Sequence, residues 1–217
     1  MMKYALVTGA TSGIGAEYAH QLAEAGHNII VVSNRDGENG IMAERLRREC
    51  GVQAEPLYAD LAQADAAEKI YAWCRARQAE VDILVSNAGI LHFGLLTRTD
   101  TAAIDRIVTL HCTTPAKLCR LFAADMCRRG EGRILLMSSI TAWTPYPTMS
   151  LYGSTKAFLR NFGAALHLET CRSGVSVTTV FPGAVDTPLY DLTPRRRRLL
   201  RRLGLMMSAR EVARRAL

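Results

Sequence analysis

The 217-residue sequence predicts a single α/β domain of the doubly wound, Rossmann type, a parallel sheet with helices on both faces. Three observations predict it. Short β-branched runs alternate strictly with longer segments of helical periodicity. The first of these runs passes through a glycine-rich turn directly into a helix. The length suits one hydrophobic core and is short for two.

Taken in order, Lys3 to Thr8 is short, apolar and bounded by glycine, which reads as a strand, and Gly15 to Ala25 carries apolar residues at helical spacing up to Gly26. His27 to Ser33 is a β-branched strand. Ile41 to Cys50 is a charged amphipathic helix closed by Gly51, and Ala54 to Tyr58 is a third strand. Asp65 to Ala79 reads as helix, Ile83 to Ser86 as the fourth strand, and Thr101 to Arg129 as one long helix ended by Gly130. Arg133 to Met137 gives a fifth strand, Leu151 to Arg172 another long helix, and Ser176 to Phe181 the sixth strand. Such alternation requires right-handed crossovers between parallel strands. Ligands of these sheets bind beyond the carboxyl ends of the strands, so the loops there are expected to carry the chemistry.

Composition removes several classes of function. Hydrophobic residues make up 49% and charged residues 22%, an ordinary globular balance without low-complexity stretches. The formal charge of +7 owes much to one segment, Arg195 to Arg202, and no nucleic-acid motif accompanies it. The six cysteines form no CxxC pair and have no close histidine partner, so they read as reduced thiols and not as a metal site. Met1 leads straight into a strand pattern without a secretory h-region, and no apolar run reaches about 18 residues. A cytoplasmic location is expected.

The turn after the first strand is Thr8-Gly9-Ala10-Thr11-Ser12-Gly13-Ile14-Gly15. Its glycines allow a tight turn and close backbone approach to a pyrophosphate, whose charge is favoured by the free N–H groups of the helix that follows. Tyr152 and Lys156, four residues apart on a predicted helix, share one face. A phenol ordinarily titrates near pH 10, and a neighbouring ammonium favours its phenolate, as acid–base work at neutral pH requires.

The TGxxxGxG spacing, Asn87-Ala88-Gly89 after the fourth strand, Asp60-Leu61 after the third, and the Tyr152-x-x-x-Lys156 pair together resemble the short-chain dehydrogenase/reductase family over nearly the whole of Lys3 to Thr187. The resemblance implies a hydride-transferring oxidoreductase of carbonyl or alcohol groups that uses a nicotinamide dinucleotide. It implies a tyrosine (Tyr152) exchanging a proton with the substrate oxygen, a lysine (Lys156) that also holds the nicotinamide ribose, and a serine thirteen residues before the tyrosine, which is Ser139 and not Ser138. Gly9, Thr11, Ser12, Gly13, Ile14 and Gly15 would hold the pyrophosphate, Asp60 and Leu61 the adenine, and Asn87, Ala88 and Gly89 would line the cofactor. Pro182, Gly183, Val185 and Thr187 match the family loop that meets the nicotinamide carboxamide.

The end of the second strand discriminates between the two dinucleotides, because the ribose there bears a hydroxyl or a phosphate. Ser33, Asn34 and Arg35 supply no carboxylate and one guanidinium, so NADP(H) is favoured over NAD(H). Where many members of the family place an asparagine that helps to hold a proton-relay water, this chain has His111. Two readings stand: a relay that survives with an ionisable group near neutral pH, or a histidine packed in its helix.

Leu91, Phe93, Ile140, Trp143, Tyr146, Met149, Leu189 and Tyr190, with Met206 and Met207, are expected around the substrate, and their character suits a hydrophobic ketone or alcohol. Met206 and Met207 read equally well as packing of the flap, which spans about 188–207. Within it, Arg195 to Arg202 reads as a solvated flap helix, a clamp for an anionic substrate such as an acyl carrier or coenzyme A ester, or a membrane-surface contact. The family's usual seventh strand has no counterpart after the helix expected at Ser208 to Leu217, which leaves a homodimer open as the assembly. A regulatory or scaffold protein that binds the cofactor without turnover is the rival reading, and the intact Ser139, Tyr152 and Lys156 argue against it.

Overall fold

In the computed structural model, which describes residues 2–189 and 193–217, alternate side chains of each central strand enter opposite cores. In β1 (Met2–Thr8), Tyr4 and Leu6 pack to one side, and Ala5 and Val7 to the other. β2 (Asn28–Ser33) divides likewise, with Ile30 and Val32 opposed to Ile29 and Val31. Burial on both faces is why these strands read as continuous apolar runs in the sequence.

The remaining strands of the sheet are β3 (Ala54–Tyr58), β4 (Ala79–Ser86), β5 (Gly132–Met137) and β6 (Val175–Val180), in the spatial order β3-β2-β1-β4-β5-β6, all parallel. The order reverses between β1 and β4, which opens the crevice in which such folds bind ligands. α1 (Gly13–Glu24) and α2 (Asp36–Cys50) cover one face of the sheet; α3 (Ala66–Ala76), α4 (Thr101–Val108), α5 (Thr114–Arg129) and α6 (Ser150–Thr170) belong to the other. After β6 come β7 (Val185–Asp186), α7 (Pro194–Arg202), β8 (Met207–Ser208) and α8 (Ala209–Ala216).

Several boundaries differ from the sequence reading, each for a local reason. α2 starts at Asp36 and not at Ile41; Asp36 and Glu38 suit the positive end of the helix, and the apolar period there is masked by Gly37 and Gly40. α3 ends at Ala76, short of Ala79, because Gln78 adopts a left-handed φ of 53°, and β4 begins at once with Ala79, ahead of Ile83. The long helix expected from Thr101 to Arg129 is broken by a π-helical turn at Thr109–Thr113. Pro115 accounts for it: proline has no N–H to donate to the His111 carbonyl one turn earlier, and its ring would crowd that carbonyl.

β6 lies at one edge of the sheet. Val185 and Asp186 pair in parallel with Met207 and Ser208, so the segment beyond β6 returns to the mouth of the crevice. Ser208 then caps α8 by accepting from the Glu211 N–H (3.1 Å), and α8 packs on α1. Met206 is buried and Met207 packs on the core, as the packing alternative anticipated.

Candidate active site

The glycine loop is shaped by distances that no side chain could share. A Cβ on Gly15 would lie 2.1 Å from the Gly9 carbonyl oxygen, so the start of α1 and the end of β1 meet only because position 15 is glycine. Gly9 itself has a φ of +68°. Ser12 caps α1 without a side-chain hydrogen bond, and the first turn holds no acidic residue. The amides at this helix start are therefore suited to an anion, and a pyrophosphate fits the cradle.

Thr8, which the sequence reading did not single out, fastens this loop to its neighbour. Its hydroxyl accepts from Asn87 N–H (2.9 Å) and Ala88 N–H (3.0 Å) and donates to the Val85 carbonyl (3.3 Å). The Asn87 side-chain amide returns a bond to the Thr8 carbonyl (2.9 Å). The end of β1 and the Asn-Ala-Gly turn are thus one rigid unit.

A second unanticipated residue, the fully buried Asn39, organises the ends of β2 and β3. It accepts from the Ser33 hydroxyl (2.6 Å) and donates to the Ser33 and Leu57 carbonyls (3.1 Å each). The Arg35 N–H donates to the Ser33 hydroxyl (3.1 Å), while its guanidinium points away and holds both Glu38 carboxylate oxygens at 3.2 Å in an exposed pair. Asp60 accepts from Ala62 N–H (3.1 Å) and from the Gln63 side chain (3.2 Å), which fixes the turn after β3.

At the other end of the crevice the two serines separate. Ser138 donates to the Lys156 carbonyl at 2.7 Å and so anchors α6 to β5, while Ser139 caps a short 3-10 turn, accepting from Thr141 N–H at 3.2 Å. Tyr152 and Lys156 are both buried on α6, with the ammonium 5.5 Å from the centre of the tyrosine ring. Lys156 donates to the Met137 carbonyl at 2.8 Å. Burial pushes its ammonium down to about 8, with Cys112 opposing the shift slightly.

His111 is 1% exposed and its protonation state follows from its partners. Nε2 accepts from the Ile90 N–H at 3.0 Å, so the neutral ring carries its proton on Nδ1. Nδ1–H then donates to the Thr155 hydroxyl at 2.9 Å, which passes its own hydrogen to the Tyr152 carbonyl at 2.8 Å. A second ring proton would point at the Ile90 N–H. Burial first, and the Lys156 charge second, hold the imidazole well below the usual histidine range. The expectation of an ionisable group near neutral pH is therefore corrected: His111 is a neutral tie between the loop after β4 and the catalytic turn of α6.

Two results are expected from this. His111→Ala leaves the Ile90 N–H and the Thr155 hydroxyl without their partner and should cost about 2–3 kcal/mol in a urea melt. Because the unfolded chain takes up a proton near pH 6.5 that the folded protein refuses, the wild type should lose stability as pH falls below that value, and the variant should lose less. An equal acid sensitivity in both proteins would refute the assignment.

A cavity of about 440 Å³ runs along the crevice. It is lined by Gly9, Ser12, Gly13, Ile14, Asn34, Arg35, Asp60, Leu61, Asn87, Ala88, Gly89, Ser139, Tyr152, Lys156, Pro182, Gly183, Val185 and Thr187, all expected from the sequence, and also by Ser33, Ala59, Ile90, Arg106, Leu110, Met137, Ser138 and Pro188. Thr11 and Gly15 are not among its lining residues; Gly15 shapes the loop from behind. His111 also stands behind the wall. Of the residues expected around the substrate, Leu189 lines the cavity, and Leu91, Phe93, Ile140, Trp143, Tyr146 and Met149 do not. Phe93 (70% exposed) and Trp143 (63%) are instead largely exposed, Trp143 packing one side against Phe181 and Arg160. Tyr190 lies outside the described residues.

A doubly wound sheet whose crevice joins a glycine loop to a buried serine, tyrosine and lysine defines a dinucleotide-dependent oxidoreductase. The chain belongs to the short-chain dehydrogenase family, whose model matches residues 3–197, and it is a dehydrogenase/reductase. It is 36% identical to an uncharacterized oxidoreductase of Bacillus subtilis over 88% of this chain and 78% of that one. Among solved structures it resembles a bulky-bulky ketone specific alcohol dehydrogenase from Comamonas testosteroni, with a TM-score of 0.84 and 32% identity over 98% of this chain and 79% of that one. A short-chain dehydrogenase from Sphingobium yanoikuyae in complex with NADPH superposes with a TM-score of 0.86 and 31% identity, covering 98% and 81% of the two chains.

Proposed function

We propose that this protein is an NADP(H)-dependent carbonyl reductase that converts a hydrophobic ketone or aldehyde to its alcohol, or oxidises the matching alcohol in reverse. The observation that carries the reading is the buried Tyr152–Lys156 pair in the same cavity as Ser139 and the glycine loop. A bound reduced dinucleotide would supply the hydride to the carbonyl carbon. Ser139 donates a hydrogen bond to the carbonyl oxygen, and Tyr152 transfers its phenolic proton to it, so that C=O becomes CH–OH. Lys156 would favour the phenolate that Tyr152 leaves behind, and its ammonium, which now donates to the Met137 carbonyl, would hold the ribose of a bound dinucleotide. A cytoplasmic setting suits the six free thiols.

NADP(H) is favoured by the end of β2. Ser33 is occupied by Asn39, no carboxylate stands ready for a ribose hydroxyl, and Arg35 lines the cavity with only an exposed pair to Glu38 to give up. Arg35→Ala should weaken NADPH binding about tenfold in a fluorescence titration while leaving NADH within about twofold. Equal losses for the two dinucleotides would remove Arg35 from cofactor choice. The solved relatives named for a bulky ketone and for an NADPH complex support the hydrophobic carbonyl and the phosphorylated cofactor.

The reading is tested by titrating the protein with NADPH and NADH and then following NADPH oxidation with a panel of bulky hydrophobic ketones. Tight NADPH binding with turnover is the expected result. Binding without turnover across the panel would favour the regulatory role, and absence of binding would overturn the proposal.

A further inference from the structure

We infer that the mouth of the crevice docks on an anionic lipid surface, with α7 lying in the interface. α7 begins after Thr193, whose side chain caps it by accepting from the Arg196 N–H, and no acidic residue occurs between Thr193 and Arg210. Arg195, Arg196, Arg198, Arg201 and Arg202 are all exposed. Arg201 sits 3.8 Å from Asp186, which ties the helix to β7.

The same helix turns leucines into water. Leu199 (57% exposed) and Leu203 (62%) are four residues apart and share a face, and Leu205 follows them, also exposed. By their spacing Arg195, Arg196 and Arg202 flank Leu199 at four, three and three residues, while Arg198 and Arg201 lie on the other side of the helix. A soluble anion would account for the arginines and leave the leucines hydrated. A lipid interface takes both at once, the leucines among acyl chains and the guanidinium groups among phosphates.

Further exposed apolar residues leave the same end of the sheet. Parallel strands send every loop after a carboxyl end out of one side of the sheet, so Phe93 and Leu95 after β4 and Trp143 after β5, all exposed, emerge on the side from which the segment carrying α7 departs after β6. The active-site cavity opens on that side. A hydrophobic substrate would thus reach Tyr152 from the bilayer; this consequence rests on the reading of a hydrophobic carbonyl above, whereas the docking itself does not.

Flotation of the protein tests it, with vesicles of phosphatidylcholine alone and of phosphatidylcholine with a quarter phosphatidylglycerol. Capture by the anionic vesicles only is expected, with a loss of at least about tenfold when Arg195, Arg196, Arg198 and Arg202 are replaced by glutamine. Leu199→Ser with Leu203→Ser should lose capture as well. NADPH binding monitors folding of both variants, since none of these residues lines the cavity. Failure of the wild type to float, capture unchanged in either variant, or release of the protein by free coenzyme A would each overturn the inference. The assay needs no turnover, so an inactive but vesicle-bound protein would count against the carbonyl reading alone.

Discussion

Tyr152→Phe is expected to lower kcat for ketone reduction by about a thousandfold, within the range general acid catalysis contributes, while NADPH binding stays within about twofold. The substitution removes one oxygen and keeps the ring. The ring is what packs: it stands edge-on to His111 at 5.8 Å and beside the Lys156 ammonium at 5.5 Å, and both contacts survive in phenylalanine. Loss of kcat without loss of binding would therefore report the missing proton and not a collapsed site. Single-turnover oxidation of bound NADPH with a bulky ketone measures it directly. A variant that retains a tenth or more of the wild-type rate would show that another group protonates the oxygen.

Lys156→Met should separate function from stability in the opposite direction. Turnover is expected to fall by at least about a hundredfold, because the phenolate left at Tyr152 loses its neighbouring cation. Stability should rise. Lys156 is 5% exposed, and burial lowers its ammonium from 10.5 to about 8. Below pH 8 the folded protein keeps a charge it solvates poorly, at a cost of about 3 kcal/mol relative to the unfolded chain. That cost is fully present below pH 8 and relieved as pH rises from about 8 to 10.5, where the unfolded lysine also loses its proton. Methionine removes the charge but also the bond to the Met137 carbonyl, so a net gain of about 1–2 kcal/mol is expected at pH 7. Urea melts at pH 7 and pH 10 should show the gain shrinking at the higher pH. A variant less stable than wild type at pH 7 would mean that the ammonium is solvated better than its burial implies.

The lysine expected to cost the fold stability is the one the proposed chemistry needs, which is a common arrangement at active sites. It also clarifies the neutral His111. A cation there would be a second charge near Lys156 in the same dry region and would lower the ammonium further. The Ile90–His111–Thr155–Tyr152 chain avoids this by fixing the tautomer through three hydrogen bonds.

Much of the site was legible because its signals are contiguous. TGxxxGxG, the Asn-Ala-Gly turn and the tyrosine–lysine spacing each lie within one turn or helix, and local geometry then dictates what they present. The exposed apolar residues were not placed correctly from sequence, since apolar character does not tell a pocket lining from an exposed patch. Phe93 and Trp143 are equally apolar in either place.

By itself the sequence determined the order of strands and helices, the glycine loop and the pairing of Tyr152 with Lys156 on one helix face, because periodicity and i,i+4 spacing act over a few residues. Only the tertiary structure decided that Ser138 ties β5 to α6, that Thr8 and Asn39 fasten the strand ends, and that His111 is uncharged. Each of these depends on a partner brought close by the fold: Val85, Asn87 and Ala88 for Thr8, Leu57 for Asn39, Lys156 for Ser138, and Ile90 and Thr155 for His111. A side chain's hydrogen-bond partners and its solvation set its protonation, and both are properties of the packed chain.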